Sequence, residues 1–391
     1  MIFSALFVSL ALLVSSVLGA PNRLLSVERY DGETSGRYIV TLKADTVKSD
    51  HLSWVNEAAG AGANITHDWN PDFVNGYAAN LDDNALRTLR ASPDVESIGE
   101  DGVVSIKVTE TNAPWGIARL SSTSAISGSD TANSYTYTYN SAAGSGVDIY
   151  VIGEPAALSD FGGRARWGAT FGGYADADGN GHGTHVSGTA AGTRWGVAKA
   201  ANLIAVKVLS DSGSGSVSDI VSGLDWVATQ VSSSGRPSIA TLSLGGSAST
   251  ALDNAVTSLV NQGIHVTVAA GNSNTDASSS SPARATAVNT IGATTIADAR
   301  ASYSNYGSVV DIFAPGTDVT SSWIGSTTAT NTISGTSMAT PHVAGLLAYL
   351  ISVNGNSSPA SLTSTLKGLG LSGVLTGIPS GTVNLLAHND Q

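Results

Sequence analysis

Short apolar segments alternate with helix-length segments along most of this chain, and this alternation restricts the fold more than any other feature. It predicts strand–helix–strand units, whose strands lie parallel in one sheet and are joined by right-handed crossovers. The predicted strands are Val147–Ile152, Leu203–Val208, Ile239–Leu244, His265–Ala270, Thr290–Ala293 and Val309–Phe313, and the predicted helices include Ser218–Gln230, Ser249–Gln262 and Thr340–Val353. We therefore expect an α/β domain with a mostly parallel sheet, preceded by surface connections over Ser121–Gly146.

Composition excludes one large class of function. The 391 residues include 30 Asp and Glu against 18 Lys and Arg, which gives a net charge of −12. A nucleic-acid-binding protein needs a concentrated basic surface, so that role is not expected. The chain has no cysteine. Without disulfides, the fold must depend on a large core, on close packing of small residues, or on bound ions.

The chain begins with an apolar run. Residues 1–19 are typical of a signal peptide that is removed on export, because the run is too short for a membrane span and ends in small residues. No later run of about 18 apolar residues follows. We expect a soluble, secreted product without a membrane-spanning segment.

A small separate unit is predicted for residues 36–105. Its predicted strands are 37–42, 74–81 and 95–98, and its predicted helices are 51–59 and 82–90. The second helix has an acidic start and a basic end, as the helix dipole favours. Strands and helices of this size form an α+β sandwich.

Two motifs carry residues suited to nucleophilic catalysis. In Ser334–Gly345, Ser337 lies at the predicted start of a buried helix. Backbone N–H groups and the helix dipole favour negative charge there. In Gly179–Thr189, glycines around His182 let backbone and substrate approach closely.

These motifs, in this order, resemble those of the subtilisin family of serine proteases, and nearly the whole chain after residue 19 resembles its proteinase-K-like fungal subgroup. The resemblance implies that Ser337 is the nucleophile and His182 the general base and acid. It also implies that Asn272 stabilises the oxyanion together with the backbone N–H of Ser337. His185 and His342 are expected to be packed structural residues.

The same resemblance divides the chain into domains. It implies a three-layer subtilisin-like peptidase domain over 109–391 and a propeptide over 20–108, which contains the inhibitor-like unit of about 36–105. In the family the propeptide acts as intramolecular chaperone and inhibitor, and Ile106–Glu110 would hold the processing junction. A monomer that acts on proteins or peptides is expected.

A substrate cleft is also implied by the resemblance. Pairing with substrate backbone through the loop at 213–216 suits broad specificity. Uncharged pocket walls predict apolar or aromatic residues before the cleaved bond. The implied substrate-binding residues are Gly213, Ser214, Gly215, Ser243, Leu244, Gly245, Ala269, Ala270 and Gly271.

No cofactor is expected to be required for catalysis, but a structural Ca²⁺ ion is implied. By resemblance, its ligands would be the Asp311 carboxylate and the carbonyl oxygens of Thr286 and Val288, which is suitable chemistry for calcium. Asp311 as an ordinary surface acid is the alternative.

One part of the family pattern is interrupted. The family places a catalytic aspartate after the first strand of the sheet, in the sequence Val-Ile-Asp-Thr/Ser-Gly, whereas this chain has Val151-Ile152-Gly153. Three explanations stay open: an error that dropped two codons, a real protein with impaired or absent activity, or rescue by another carboxylate. Glu154 is the nearest candidate, and Asp148 and Asp160 lie too far back and too far along.

The sequence therefore predicts a serine endopeptidase made as a zymogen. The alternative is a catalytically inactive secreted homologue that binds peptides. An α/β-hydrolase esterase is disfavoured, because no Gly-x-Ser-x-Gly elbow is present and the histidine precedes the serine.

Overall fold

The computed structural model describes residues 24–30, 34–102, 107–153 and 161–391. The chain divides into two compact units, Met1–Ser105 and Ile106–Gln391. The predicted signal peptide lies outside the described residues, as do Ile106 of the predicted junction and residues 154–160 after the interrupted strand.

The first unit has the predicted α+β architecture. Its elements are β1 Val27–Glu28, β2 Thr34–Leu42, α1 Lys48–Ala58, β3 Ala63–Asp68, β4 Gly76–Leu81, α2 Asp83–Arg90 and β5 Val95–Gly102. Among the described residues, the strands form a sheet in the order β1-β5-β2-β4-β3, and the core joins Val40 of the sheet to Val55 of α1 and Leu89 of α2. Asp82 caps α2 by accepting hydrogen bonds from two backbone N–H groups of its first turn.

The second unit contains the remaining elements. Its strands are β6 Lys107–Ala113, β7 Tyr135–Asn140, β8 Asp148–Gly153, β9 Ala165–Thr170, β10 Asn202–Lys207, β11 Ser238–Leu242, β12 Gly246–Ser247, β13 His265–Ala269, β14 Ser280–Ser281, β15 Asn289–Thr294, β16 Ile312–Pro315, β17 Val319–Ser322, β18 Thr330–Ile333, β19 Leu371–Ser372 and β20 Leu385–Leu386. Its helices are α3 Trp115–Leu120, α4 His182–Ala191, α5 Val217–Ser234, α6 Thr250–Asn261, α7 Thr336–Asn354 and α8 Pro359–Leu369.

The central sheet is almost entirely parallel, which confirms the predicted fold class. Its strand order is β19-β20-β16-β15-β13-β11-β8-β10-β9, and the pairings from β20 through β9 are parallel. Helices α4 and α7 cover one face of the sheet, and α5 and α6 cover the other. Parallel strands end at the same edge of a sheet, so the loops after β8, β10, β11 and β13 meet there.

Helix α7 lies in the core. It is the one helix of the described residues that is long and apolar enough to cross a membrane, yet 83% of its most apolar window is buried inside the unit. Burial of this kind is typical of a core helix of a globular domain. The helix begins at Thr336, four residues before the predicted segment 340–353, and Ser337 lies at its start as the motif predicts.

The predicted surface connection over Ser121–Gly146 is wrong at β7. This strand alternates Tyr and Thr, and Tyr137 is fully buried with its hydroxyl donating to the Val197 carbonyl at 3.1 Å. Alternating side chains of a strand face opposite sides. The tyrosines can therefore be buried even where the segment is polar on average.

Candidate active site

Ser337 lies at the amino end of α7, as the second residue of the helix, and is half-buried. Pro341, one turn further along, has no backbone N–H to offer to the Ser337 carbonyl. That carbonyl instead accepts a hydrogen bond of 2.8 Å from Oγ of Ser243, and the Ser337 hydroxyl donates to the Ser243 carbonyl at 3.3 Å. The proline thus leaves the first turn of α7 free to bond to the loop that follows β11.

His182 is the first residue of α4 and is also half-buried. The turn before it is held by Asp178, whose carboxylate accepts from the backbone N–H of Gly181 at 2.7 Å and of Thr184 at 3.0 Å. Gly181 has φ +98°, a left-handed conformation that favours glycine. The hydrogen bonds of Asp178 and the positive φ of Gly181 together fix the backbone position from which the His182 side chain projects.

His182 and Ser337 line the same cleft, which has a volume of about 800 Å³. Six of the predicted substrate-binding residues line this cleft, namely Gly213, Ser214, Gly215, Ser243, Leu244 and Gly245. Apolar side chains, among them Leu209, Ile220 and Leu252, complete the lining. The cleft therefore joins a nucleophile and a potential base to a surface that suits an extended chain.

A second cavity of about 470 Å³ also includes Ser337. The predicted residues Ala269, Ala270 and Gly271 line it, together with Leu244 and Gly245. The described lining contains no charged side chain, but it is rich in hydroxyl groups, from Ser247, Ser273, Thr275, Ser279, Ser280, Ser281, Thr336 and Ser337. An uncharged residue of a substrate would fit this cavity without burying an unpaired charge.

Asn272 lies beside the amino end of α7. Its side-chain oxygen accepts hydrogen bonds from the backbone N–H of Thr336 at 2.8 Å and from the Thr336 hydroxyl at 2.9 Å. A Cβ built on Gly335 would lie 3.5 Å from Nδ2 of Asn272 and 3.6 Å from the backbone nitrogen of Ser337. Two N–H donors therefore border one space, which is open because residue 335 has no side chain, and such a pair suits a developing oxyanion.

Comparison with known proteins identifies the family. The model of the Subtilase family, Peptidase_S8, matches residues 163–368, more than half of the chain. The chain belongs to the subtilase family. Residues 37–107 match a second family model, Peptidase inhibitor I9. The recognition of a subtilisin-like protease with an inhibitor-type propeptide is therefore confirmed.

Individual relatives agree with this assignment. "Subtilisin-like protease 2" of Pseudogymnoascus destructans is 48% identical over 83% of this chain and 80% of its own. Proteinase R of Parengyodontium album is 44% identical over 90% of this chain and 89% of its own. The crystal structure of a cold adapted subtilisin-like serine proteinase aligns with a TM-score of 0.64 and 42% identity, covering 71% of this chain and 98% of that one.

The subtilase pattern is interrupted at the end of β8. Ile149 and Val151 pack towards α4 and α7. Because successive strand residues face opposite sides, the position after Ile152 faces that same layer, where α4 begins with His182. That position is occupied by Gly153, and a Cβ built there would meet no atom of the described residues within 4 Å. Gly153 therefore presents no side chain to the layer that contains His182.

Two acidic residues that could replace a carboxylate after β8 already have other partners. Asp148 lies at the opposite end of β8, buried and paired with Arg236 at 2.8 Å. Asp178 is committed to the cap of α4. Glu154 and Asp160 lie outside the described residues.

The other two histidines of the motifs are structural, as predicted. His185 is fully buried and bonds through Nε2 to the Val319 carbonyl at 2.9 Å, and His342 is buried with Nδ1 donating to the Met338 carbonyl at 2.8 Å. Burial lowers the pKa of each imidazole to about 4. Neither ring can exchange protons with a substrate in the cleft.

The implied calcium site stays a prediction, and Asp311, the one carboxylate among its implied ligands, has other partners. Asp311 directs one oxygen at Lys367 and the other at a backbone N–H. Thr286 is exposed and Val288 is buried. Within the described ranges, no group of three His, Asp or Glu side chains is arranged to hold a metal ion.

Sequence reasoning missed three supporting residues of the subtilase site. Asp178 carries a recognisable signal: it stands three residues before the N-cap Gly181, and an acidic residue near a helix start suits the unpaired N–H groups of the first turn. Thr336, which orients the Asn272 amide, and Gly335, which leaves the oxyanion space open, carry no signal of their own. Their roles depend on a residue more than 60 positions away.

Proposed function

We propose that this subtilase is a serine endopeptidase in which Ser337 attacks the substrate carbonyl. The Ser337 proton passes to His182 and then to the leaving amine, and water hydrolyses the acyl-enzyme by the reverse route. Asn272 Nδ2 and the Ser337 backbone N–H stabilise the oxyanion. The supporting observation is that these donors border one space beside a cleft lined by both His182 and Ser337.

The proposed specificity is broad, with apolar or aromatic residues before the cleaved bond. The cavity beside Ser337 supports it, because its described lining is uncharged and includes Leu244, Ala269 and Ala270. The hydroxyl groups on other parts of the lining suit tyrosine as well as phenylalanine. Relative kcat/KM values for peptides that differ at this one position test the proposal, and a preference for Lys, Arg or Glu would contradict it.

The chain is further proposed to be secreted as a zymogen. The apolar residues 1–19 and the inhibitor-type unit at 37–107 support this. Mass spectrometry of the secreted product should show a chain that begins near Ile106–Glu110, whereas a Ser337→Ala variant should keep its propeptide. Release of the propeptide from the Ser337→Ala variant would mean that another protease makes the cut.

The missing aspartate is proposed to lower turnover rather than to abolish binding. Loss of this residue from serine protease triads costs about 10⁴ in kcat, because the imidazole is no longer held in the right tautomer and its charged form is not stabilised. Insertion of Asp-Thr between Ile152 and Gly153 should therefore raise kcat by about 10⁴. A matched Asn-Thr insertion restores the length without the charge, and equal rates for the two insertions would contradict this explanation.

A second candidate function is supported by Gly153 itself, namely a peptide-binding protein without turnover. A fluorophosphonate probe distinguishes the two, since it labels only an activated serine. Labelling of the parent chain but not of Ser337→Ala supports the endopeptidase. If the parent keeps its propeptide and stays unlabelled, the endopeptidase proposal is wrong for this chain and the binding function is favoured.

A further inference from the structure

Asp311 is the residue on which the implied calcium site depends. It lies directly before β16, and its backbone and side chain both bond to Thr290 of the neighbouring strand β15. The Asp311 N–H donates to the Thr290 carbonyl at 2.9 Å, and Oδ2 accepts from the Thr290 N–H at 2.8 Å. The orientation of the carboxylate is therefore fixed, with Oδ1 as its remaining oxygen.

A cation of the chain itself already lies against that oxygen. Nζ of Lys367, in the last turn of α8, is 2.6 Å from Oδ1 of Asp311. Four residues earlier on the same face of α8, the Thr363 hydroxyl donates to Oδ1 of Asn289 at 3.0 Å. Two separate contacts thus hold this face of α8 against the edge formed by β15 and β16, where the Lys367 side chain is 39% exposed and that of Asp311 22% exposed.

Calcium requires six to eight oxygen ligands at about 2.3–2.6 Å. An ammonium group at hydrogen-bond distance from Oδ1 occupies the position of such an ion and repels any second cation that approaches. A second basic residue, Arg284, lies on the loop that carries Thr286 and Val288. It is paired with Asp253 at 2.6 Å, so it is not the cation that lies at Asp311.

We propose that Lys367 is the resident cation at Asp311. The ion pair holds the corner of β15, β16 and α8 together without calcium at that point. Removal of the ammonium group turns Asp311 into a divalent-cation site. The proposal does not depend on proteolytic activity. It assigns to one side chain of α8 the role that the family resemblance assigned to a metal.

The test is thermal unfolding of the full chain in a Ser337→Ala background, which prevents self-digestion, in excess EDTA or excess CaCl₂. For each chain, calcium shifts the midpoint temperature of unfolding by some amount. The measured quantity is that shift minus the shift of the same chain with Asp311→Asn added. The parent should show no difference. Lys367→Met, which keeps the length and removes the charge, should gain roughly 5 °C when calcium is at about 100 times its Kd. Lys367→Arg keeps the charge and should resemble the parent.

Two outcomes overturn the proposal. If calcium raises the midpoint of the parent and Asp311→Asn removes that rise, a calcium site coexists with Lys367. If Lys367→Met shows no Asp311-dependent shift, the ammonium group is not a substitute for a metal. The parent arm needs no substitution at position 367, so it remains decisive if Lys367→Met does not fold.

Discussion

At the scale of single residues, the site depends on side chains that are oriented by one polar atom while the other faces the site. Asn272 illustrates this, because its oxygen is fixed by Thr336 while its nitrogen borders the oxyanion space. An amide suits this position because it combines an acceptor and a donor in one planar group. A carboxylate could supply only the acceptor.

Asn272→Ala is expected to lower kcat by about 10²–10³, with little change in KM, because the lost donor acts mainly in the transition state. The measurement is peptide hydrolysis by the chain with Asp-Thr inserted after Ile152, where turnover is expected to be higher. Asn272→Asp is the matched control, since it keeps the acceptor for Thr336 and loses the donor. If Asn272→Asp retains full kcat, the oxyanion role of Asn272 is wrong.

At the scale of elements, the packing of α4 against α7 places His182 and Ser337 on the same side of the sheet. The two helices approach closely at Gly345, where an added Cβ would lie 2.5 Å from the carbonyl oxygen of Ala190 and 2.7 Å from Cβ of Val197. Small residues at such a crossing bring the two backbones close together. The geometry of the site therefore depends on a position that never meets substrate.

Gly345→Ala should destabilise the second unit by about 1–3 kcal/mol, because the helices must separate to admit the methyl group. Urea unfolding of the Ser337→Ala chain measures this. Gly368→Ala, in α8, is the matched control. A Cβ there meets nothing within 4 Å in the part of the chain that the structure describes, so alanine should stabilise by about 0.5–1 kcal/mol through its helix preference. Equal stability of the two variants would show that the α4–α7 contact is looser than described.

At the scale of the whole molecule, stability should fall on acidification because of buried imidazoles. Burial holds the pKa of His185 and His342 at about 4, against 6.5 when unfolded. Between these values the unfolded chain binds protons that the folded chain does not, so stability is complete above about pH 6.5 and is lost as the pH falls towards 4. Each histidine should account for roughly 3 kcal/mol of that loss.

The free energy of unfolding of the Ser337→Ala chain, measured in urea at a series of pH values, checks this expectation. The slope between pH 6 and pH 5 should correspond to uptake of about two protons or more on unfolding, because burial also lowers the pKa of His265 and of His388. A flat profile over this interval would mean that the two rings are protonated in the folded chain. Loss confined to lower pH would point to carboxylates instead.

Much of the fold and site could be predicted from sequence, because the relevant signals are local. Apolar runs of strand length and the caps of α2 and α4 are written into neighbouring residues, and the motifs of Ser337 and His182 are continuous. Element ends were less predictable. Helix α7 begins before the predicted Thr340, and strand β3 was missed because it is an edge strand whose side chains are mostly exposed.

By itself, the sequence determined the α/β class and the subtilase family, and it predicted Ser337 as the nucleophile and His182 as its base, since each depends on spacing along the chain. Tertiary structure alone decided that Lys367 lies against Asp311, that Gly335 leaves room between two donors, and that Gly153 faces the layer of α4. These facts join residues that are distant in the chain. Only the packing of helices on a twisted parallel sheet sets such distances, because no local preference specifies which loops meet at its edge.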